Sequence, residues 1–411
     1  MKTGSICLRC LRAQKYKTKT LSLRNTTSTR PFSATSFPQM PQRSIDASYY
    51  RGGTSRALIF QPKDLSVDRS SWPPIFLQLM GSPDPYGRQL DGMGAGISSL
   101  SKICIVAPST RPDCNVDYTF VGIGIERDEV DMAGNCGNMI SAIGPYAVNS
   151  GLFEVGKDGE VTVRIHNTNT GVVIRSTFLV VDSQVVVEGD YTIDGVAGTG
   201  AKIQLDFLRP GGAKTGKLLP TGQVVQKIKG VEVSLVDAAN PCVFVRAEDV
   251  GVPGTILPAD FNKMPEKLAL LDEIRRAGAV AMGLVKNESE VPRTIPKVGI
   301  VSKAATHKVL SGETIEESSV DVVIRFISDE QPHRASPLTA ALCTAVASKI
   351  KGSIVEQCLA SKPVNADMVT IGHASGRIQI DATMDEDGDA ECATVFRTAR
   401  RIFDGKVYYN A

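Results

Sequence analysis

The chain has 411 residues, 42% of them hydrophobic and 22% charged, and a formal net charge of +2. That length suits two domains or more. No run of about 18 apolar residues occurs, which argues against a helical membrane span. The nine cysteines are scattered, which excludes a disulfide framework and points to a reducing compartment.

Charge is unevenly placed. Residues 1–45 hold nine Lys or Arg and no Asp or Glu, and they are dense in Ser and Thr. This composition predicts an organelle transit peptide over residues 1–44, and so a mitochondrial location, with Arg30-Pro31-Phe32-Ser33 suited to processing. Taking those nine charges from +2 leaves −7 on the remainder, a mildly acidic body unsuited to nucleic acid. Cys7-Leu8-Arg9-Cys10 is a CxxC with no second pair nearby to complete a four-ligand zinc site, so no metal is expected.

In chain order, Ala57–Phe60, Ile103–Val106, Val116–Ile125, Val161–Ile165, Val172–Val181, Gln184–Val187 and Ile203–Phe207 read as strands. Trp72–Met80 and Met139–Val148 read as helices within this half. The run Arg209-Pro210-Gly211-Gly212-Ala213-Lys214-Thr215-Gly216 reads as a loop. Beyond it, Val231–Leu235, Val243–Val245, Val298–Val301 and Val320–Ile327 are strand-like. Lys263–Met282 carries Leu268, Leu271, Ile274, Ala277 and Ala281 at helical spacing. Pro337–Lys349 is a helix with its proline where an N-terminus tolerates it. Each half thus has strands and then a helix preceded by a polar turn. The expectation is an α+β chain of two similar domains, 45–205 and 206–390, each wrapping strands around a central helix. Residues 391–411 would return to the first domain. The two helix N-termini would face a shared cleft, where an anion binds well.

The chemistry concentrates at Ala133-Gly134-Asn135-Cys136-Gly137-Asn138. A thiol that opens a helix sees the positive end of its dipole and several free backbone N–H groups, conditions under which it gives up and takes back a proton. Asp91-Gly92-Met93-Gly94-Ala95-Gly96-Ile97-Ser98-Ser99-Leu100-Ser101-Lys102 is rich in N–H groups and hydroxyls that can cradle a carboxylate. Lys102 ends it just before an apolar strand; a partly buried lysine suits acid–base work, whereas a Gly-rich turn with a surface lysine fits the local sequence equally well. The same choice holds for Arg51-Gly52-Gly53-Thr54-Ser55-Arg56, a carboxylate clamp or a plain turn. Gly211 to Leu218 imitates a phosphate loop, but Leu218 stands where a hydroxyl is needed and Pro220 opposes the required helix. Cys104, Cys242 and Cys343 lie in apolar runs, as small core residues do.

Residues 51–56, Gly81 to Gly94, Ser101-Lys102, Gly134 to Asn138 and Gly372-His373-Ala374-Ser375-Gly376 resemble the motifs of the PrpF family, and the likeness runs from about Ile45 to Tyr409. The resemblance implies a fold like diaminopimelate epimerase: two similar domains, each a barrel-like sheet around a helix, with the site in the cleft between them. It also implies a cofactor-independent isomerase acting on an unsaturated tricarboxylate such as 2-methylaconitate or cis-aconitate. Epimerases of this fold place a cysteine at each helix N-terminus, but His333-Arg334-Ala335-Ser336 has none. The resemblance instead implies a catalytic pair, Cys136 with Lys102. Arg51, Ser55, Gly94, Ser98, Asn138, His373 and Ser375 are the substrate-binding candidates, and His373 taken alone would more often be structural. A homodimer and a link to an aconitase-type iron–sulfur dehydratase are further expectations. An accessory role as a binder for that dehydratase, or isomerisation in a secondary-metabolite pathway, are the alternatives.

Overall fold

The structure is a computed structural model that describes residues 42–328 and 330–410. Its first half contains β1 (Arg43–Gly52), β2 (Ser55–Phe60), α1 (Trp72–Met80), β3 (Lys102–Pro108), β4 (Val116–Ile123), β5 (Val130–Asp131), α2 (Gly137–Asn149), β6 (Gly159–Asn167), β7 (Val173–Val181), β8 (Gln184–Val185) and β9 (Ile203–Leu208). The second contains β10 (Gln226–Ile228), β11 (Val231–Ala238), β12 (Asn240–Arg246), α3 (Pro258–Phe261), α4 (Pro265–Ala281), β13 (Lys297–Lys303), β14 (His307–Lys308), β15 (Thr314–Ile315) and β16 (Val322–Ser328). There follow β17 (Gln331–Pro332), α5 (Leu338–Ser348), α6 (Ile354–Gln357), β18 (Met368–His373), β19 (Gly376–Met384), β20 (Ala390–Arg397) and β21 (Ala399–Tyr409). The architecture is mixed α/β: nineteen of the described strands join in one continuous sheet, and β14 pairs with β15 apart from it.

Pairing order repeats along the chain. β2 runs parallel to β3, β3 antiparallel to β4, β4 parallel to β6, and β6 antiparallel to β7. In the same order, β12 runs parallel to β13, β13 antiparallel to β16, β16 parallel to β18, and β18 antiparallel to β19. A parallel pair needs a crossover, and α1 and α4 supply it in corresponding places. The halves are stitched together by β9, which pairs with both β7 and β20. The expected 205/206 boundary therefore falls inside a strand. β21 pairs with β1 from Arg43↔Tyr409 to Gly52↔Ala399. Arg43 and Ser44, read as the end of the leader, are thus the first residues of a strand; residues 1–41 of the expected leader, with Cys7 and Cys10, lie outside the described residues.

Both central helices are apolar all round, as buried helices are. Every residue of α5 and all of α2 except Asn149 are buried. One apolar core runs across both, from Ile143 and Phe207 to Leu342 and Phe326. α2 lies close against β7 because of Gly144: a Cβ there would stand 2.5 Å from Ser176 Oγ and 2.7 Å from a Phe178 ring carbon. α1 covers a second cluster around Leu58, Phe76 and Ile103, and α4 a third around Val243, Leu271 and Val298.

Two elements differ from the sequence reading in instructive ways. The span 263–282 read as one helix is α4, beginning at Pro265 after the separate short turn α3, because a proline at the first helical position marks a start. The loop read over 51–56 is mostly strand: β1 and β2 form a hairpin whose connection is Gly53-Thr54, with Gly53 at φ 51°. Strands β18 to β21 went unread, since β21 carries Arg400, Arg401, Asp404 and Lys406 on an edge that is largely exposed.

Candidate active site

Cys136 is the N-cap of α2, with extended backbone (φ −119°, ψ 92°), and its carbonyl accepts the N–H of Met139 at 3.1 Å and the buried Tyr118 hydroxyl at 3.3 Å. The side chain is 7% exposed, and its Sγ lies 3.8 Å from Ser55 Oγ. Asn135 and Asn138, on either side of the Cys-Gly step, are both buried. Asn135 Oδ1 accepts from Asn167 Nδ2 at 2.7 Å, and Asn138 Oδ1 accepts the Thr54 N–H at 3.4 Å. These amides fix the loop, so the thiol is held rather than free to wander.

Lys102 opens β3. It is buried, with its Nζ 5.0 Å from the centroid of the Phe120 ring. The glycine-rich segment before it is organised by Gln89, which is 1% exposed. The Gln89 amide donates to Ser82 Oγ at 2.8 Å and accepts from the Gly96 N–H at 2.9 Å and from Ser101 Oγ at 2.6 Å. The motif's polar groups thus satisfy one another and deliver Ser101 and Lys102 to the start of the strand.

Cys136 and Lys102 line one narrow cleft of about 20 Å³ together with Ser55, Phe120, Asn135, Gly137, Asn138, Thr294, Lys297, Ser328, His333, Pro337, Leu338 and Thr339. That is room for about one water molecule. The second half contributes the N-terminus of α5 and the start of β13. Gly137 allows the two helix ends to abut: a Cβ there would lie 2.9 Å from Thr339 Cγ2 and 3.0 Å from Leu338 Cβ. Across the floor, Asp131 accepts the Thr294 N–H at 3.1 Å and the Ala133 N–H at 2.6 Å, tying the cysteine loop to the approach to β13. The first N–H groups of α2 and α5 have no intrahelical acceptor and carry the positive ends of both dipoles.

Two hydroxyls on this cleft, those of Thr294 and Thr339, are buried with no hydrogen-bond partner among the described residues, as are those of Thr54 and Ser336, which adjoin the lining residues Ser55 and Pro337 in sequence. A buried unpaired hydroxyl costs about 1–3 kcal/mol. Such a cluster at a cleft between two helix N-termini matches an anionic ligand with several oxygens. Among the described residues no group of three His, Cys, Asp or Glu is placed to hold a metal.

The remaining sequence candidates divide. Ser55 and Asn138 line the cleft with Cys136 and Lys102. Ser375 and Thr54 line a wider neighbouring cleft of about 790 Å³, which shares His333 with the narrow one. Arg51 is turned to the backbone, donating to Gly53 O at 3.1 Å and Thr398 O at 2.9 Å. Gly94 packs against the Gln89 amide, where a Cβ would come within 2.3 Å, and Ser98 begins a short 3-10 turn. Neither is on the wall of the narrow cleft. His373 is buried at the end of β18 and accepts the Ser375 N–H at 3.2 Å. Burial first, then the charges of Arg397, Arg325 and His333, push its pKa down to about 3, so it is a neutral acceptor here. Thr294, Lys297, Ser328 and Thr339 were missed by sequence reasoning. For Lys297 a signal existed, since Lys297-Val-Gly-Ile-Val repeats the pattern of Lys102-Ile-Cys-Ile-Val.

Comparison with known proteins agrees with the motifs. The sequence model of the PrpF protein family matches residues 42–410. A 3-methylitaconate isomerase of Eubacterium barkeri is 40% identical over 89% of this chain and 97% of its own length. A 2-methyl-aconitate isomerase of Cupriavidus necator is 35% identical over 90% and 98%. A crystal structure of a methylitaconate-delta-isomerase, at 39% identity, superposes with a TM-score of 0.73 over 90% of this chain and 96% of that one.

Proposed function

We propose that this chain, which belongs to the PrpF family and is an isomerase, shifts a proton along an unsaturated tricarboxylate of the aconitate or 2-methylaconitate type, with Cys136 and Lys102 as its acid–base pair. The observation that carries the proposal is the placement of these two side chains on one narrow cleft, beside the N-termini of α2 and α5 and the unpartnered hydroxyls. The repeated strand order supports a further part of this reading: two lobes of a diaminopimelate-epimerase-like fold that meet at the cleft.

One group of the pair takes a proton from the carbon next to the double bond. The C–H electron pair spreads through the allyl system into a carboxylate, giving a dienolate. Hydrogen-bond donors already aimed at that carboxylate lower the barrier, because they need not reorganise as charge builds up. A new C–H bond forms at the far end of the allyl system, moving the double bond, or re-forms after rotation, exchanging cis for trans. Atoms and electrons balance, since one proton leaves and one returns. The cleft as it stands holds about 20 Å³, so the substrate enters as its walls part.

The test is a proton NMR time course of the full chain in deuterated buffer with cis-aconitate, 2-methylaconitate and 3-methylitaconate. The expected result is a shifted or inverted alkene carrying deuterium, with the rate cut about 100-fold or more in Cys136→Ala and Lys102→Met. A Cys136→Ala protein with full turnover would sink the assignment. Binding without exchange would favour the accessory role. Mitochondrial import belongs to the same proposal and rests on the basic, acid-free leader; a fluorescent protein fused behind residues 1–44 that stays in the cytosol refutes it.

A further inference from the structure

The repeat in strand order has a consequence for the cleft. Lys102 opens β3 and Lys297 opens β13, and these two seven-residue strands share one burial pattern, five buried positions followed by an intermediate and an exposed one. Each follows a parallel partner and precedes an antiparallel one. The duplication therefore places a lysine at the same point of each half, and both line the same narrow cleft.

Their surroundings differ. Lys102 has the Phe120 ring beside it and no hydrogen-bond partner among the described residues. Lys297 is tied to oxygens: its Nζ donates to Thr294 O at 3.0 Å and to Ser328 Oγ at 2.8 Å. Two oxygen acceptors fix the position of the Lys297 ammonium, whereas the Lys102 ammonium lies over a ring face. Thr294 and Thr339, with their unpartnered hydroxyls, line the same cleft as Lys297.

We propose that Lys297 is a fixed cation of the site that grips one carboxylate of the substrate, with the Thr294 and Thr339 hydroxyls beside it, while Lys102 and Cys136 move the proton. This deepens the isomerase reading and names a carboxylate subsite within it. A buried ammonium already held by two protein oxygens meets the incoming carboxylate with little reorganisation.

The experiment is calorimetric titration of the full chain with tricarballylate, a saturated tricarboxylate that cannot isomerise. Lys297→Met is expected to weaken binding by about 30-fold or more, and Lys297→Arg, which keeps the charge, by less than about 10-fold. Lys406→Met, which removes an exposed lysine paired with Asp46, serves as the charge control and leaves affinity unchanged. Glutarate and methylsuccinate each lack one carboxylate of tricarballylate. For whichever lacks the gripped group, wild type and Lys297→Met agree within about threefold, because the variant then has nothing left to lose. Unchanged affinity in Lys297→Met, an equal loss for all three acids, or no binding of tricarballylate to wild type would overturn the proposal. A structural defect lowers all three affinities together. The outcome is separable from the isomerase reading: a subsite that behaves as described in a protein that exchanges no deuterium leaves Lys297 standing and removes the proposed reaction.

Discussion

Replacing Gly137 by alanine asks whether the site depends on the two helix ends touching. An added Cβ would stand 2.9 Å from Thr339 Cγ2, 3.0 Å from Leu338 Cβ and 3.1 Å from the Thr339 nitrogen. Carbon–carbon contacts are comfortable at about 3.5–4.0 Å, so the N-termini of α2 and α5 must separate by roughly half an ångström or more. Neither helix can yield easily, because both are buried along their length in one core. Overpacking of this kind costs about 1–3 kcal/mol. The separation also moves Cys136 away from the wall that holds Thr339 and Lys297, and a misplacement approaching 1 Å costs about 100-fold in rate. Urea unfolding supplies the first quantity and deuterium wash-in from solvent the second. Gly405→Ala is the control, since nothing lies within 4 Å of a Cβ built there. A Gly137→Ala protein with wild-type turnover and stability would refute the argument that contact between the helix ends shapes the site.

The unpartnered hydroxyls give a prediction of opposite sign for stability. Thr339→Val removes a buried hydroxyl that has no partner among the described residues while keeping the side-chain shape, so the protein should be as stable as wild type or up to about 1–2 kcal/mol more so, while KM rises about 10-fold. A loss of stability with KM unchanged would assign Thr339 to packing. His373 sets a pH dependence. Its folded pKa is pushed down to about 3 by burial and the nearby Arg397, from an ordinary 6.5; between these values the unfolded chain holds the extra proton, so stability is full above 6.5 and drains as pH falls toward 3. The ceiling on that loss is on the order of 5 kcal/mol, from about 1.4 kcal/mol per unit. His373→Gln should flatten the urea midpoint measured from pH 7 to 4, and an unchanged slope would show that other groups carry it.

Much of the site was legible because its signals are local. A cysteine at a helix start needs only the glycines and asparagines around it and the apolar run that follows, and α2 begins at Gly137, with Cys136 as its cap. Ser55 comes within reach of that thiol, and Asn138 holds the Thr54 N–H beside it. Arg51 shows the limit of such reasoning. An arginine beside glycines reads equally as a clamp or a turn, and the choice was made by Thr398, hundreds of positions away, whose carbonyl takes the guanidinium. Gly94 and Ser98 belong to a motif whose polar groups close on Gln89, a residue that no spacing rule marks.

What the sequence determined by itself was periodicity and end chemistry: which runs could be strands, where the two central helices begin, and that one of them opens on a thiol. Each of these depends on residues within a turn or two of one another. Tertiary structure alone decided how the halves meet. It set β9 between β7 and β20, brought β21 back along β1, and carried Thr294, Lys297 and Thr339 onto the cleft that holds Lys102 and Cys136. Apart from β7 with β9, those contacts join positions more than 150 residues apart, and they follow from burying two apolar helices in one core, a constraint that exists only once the whole sheet has closed around them.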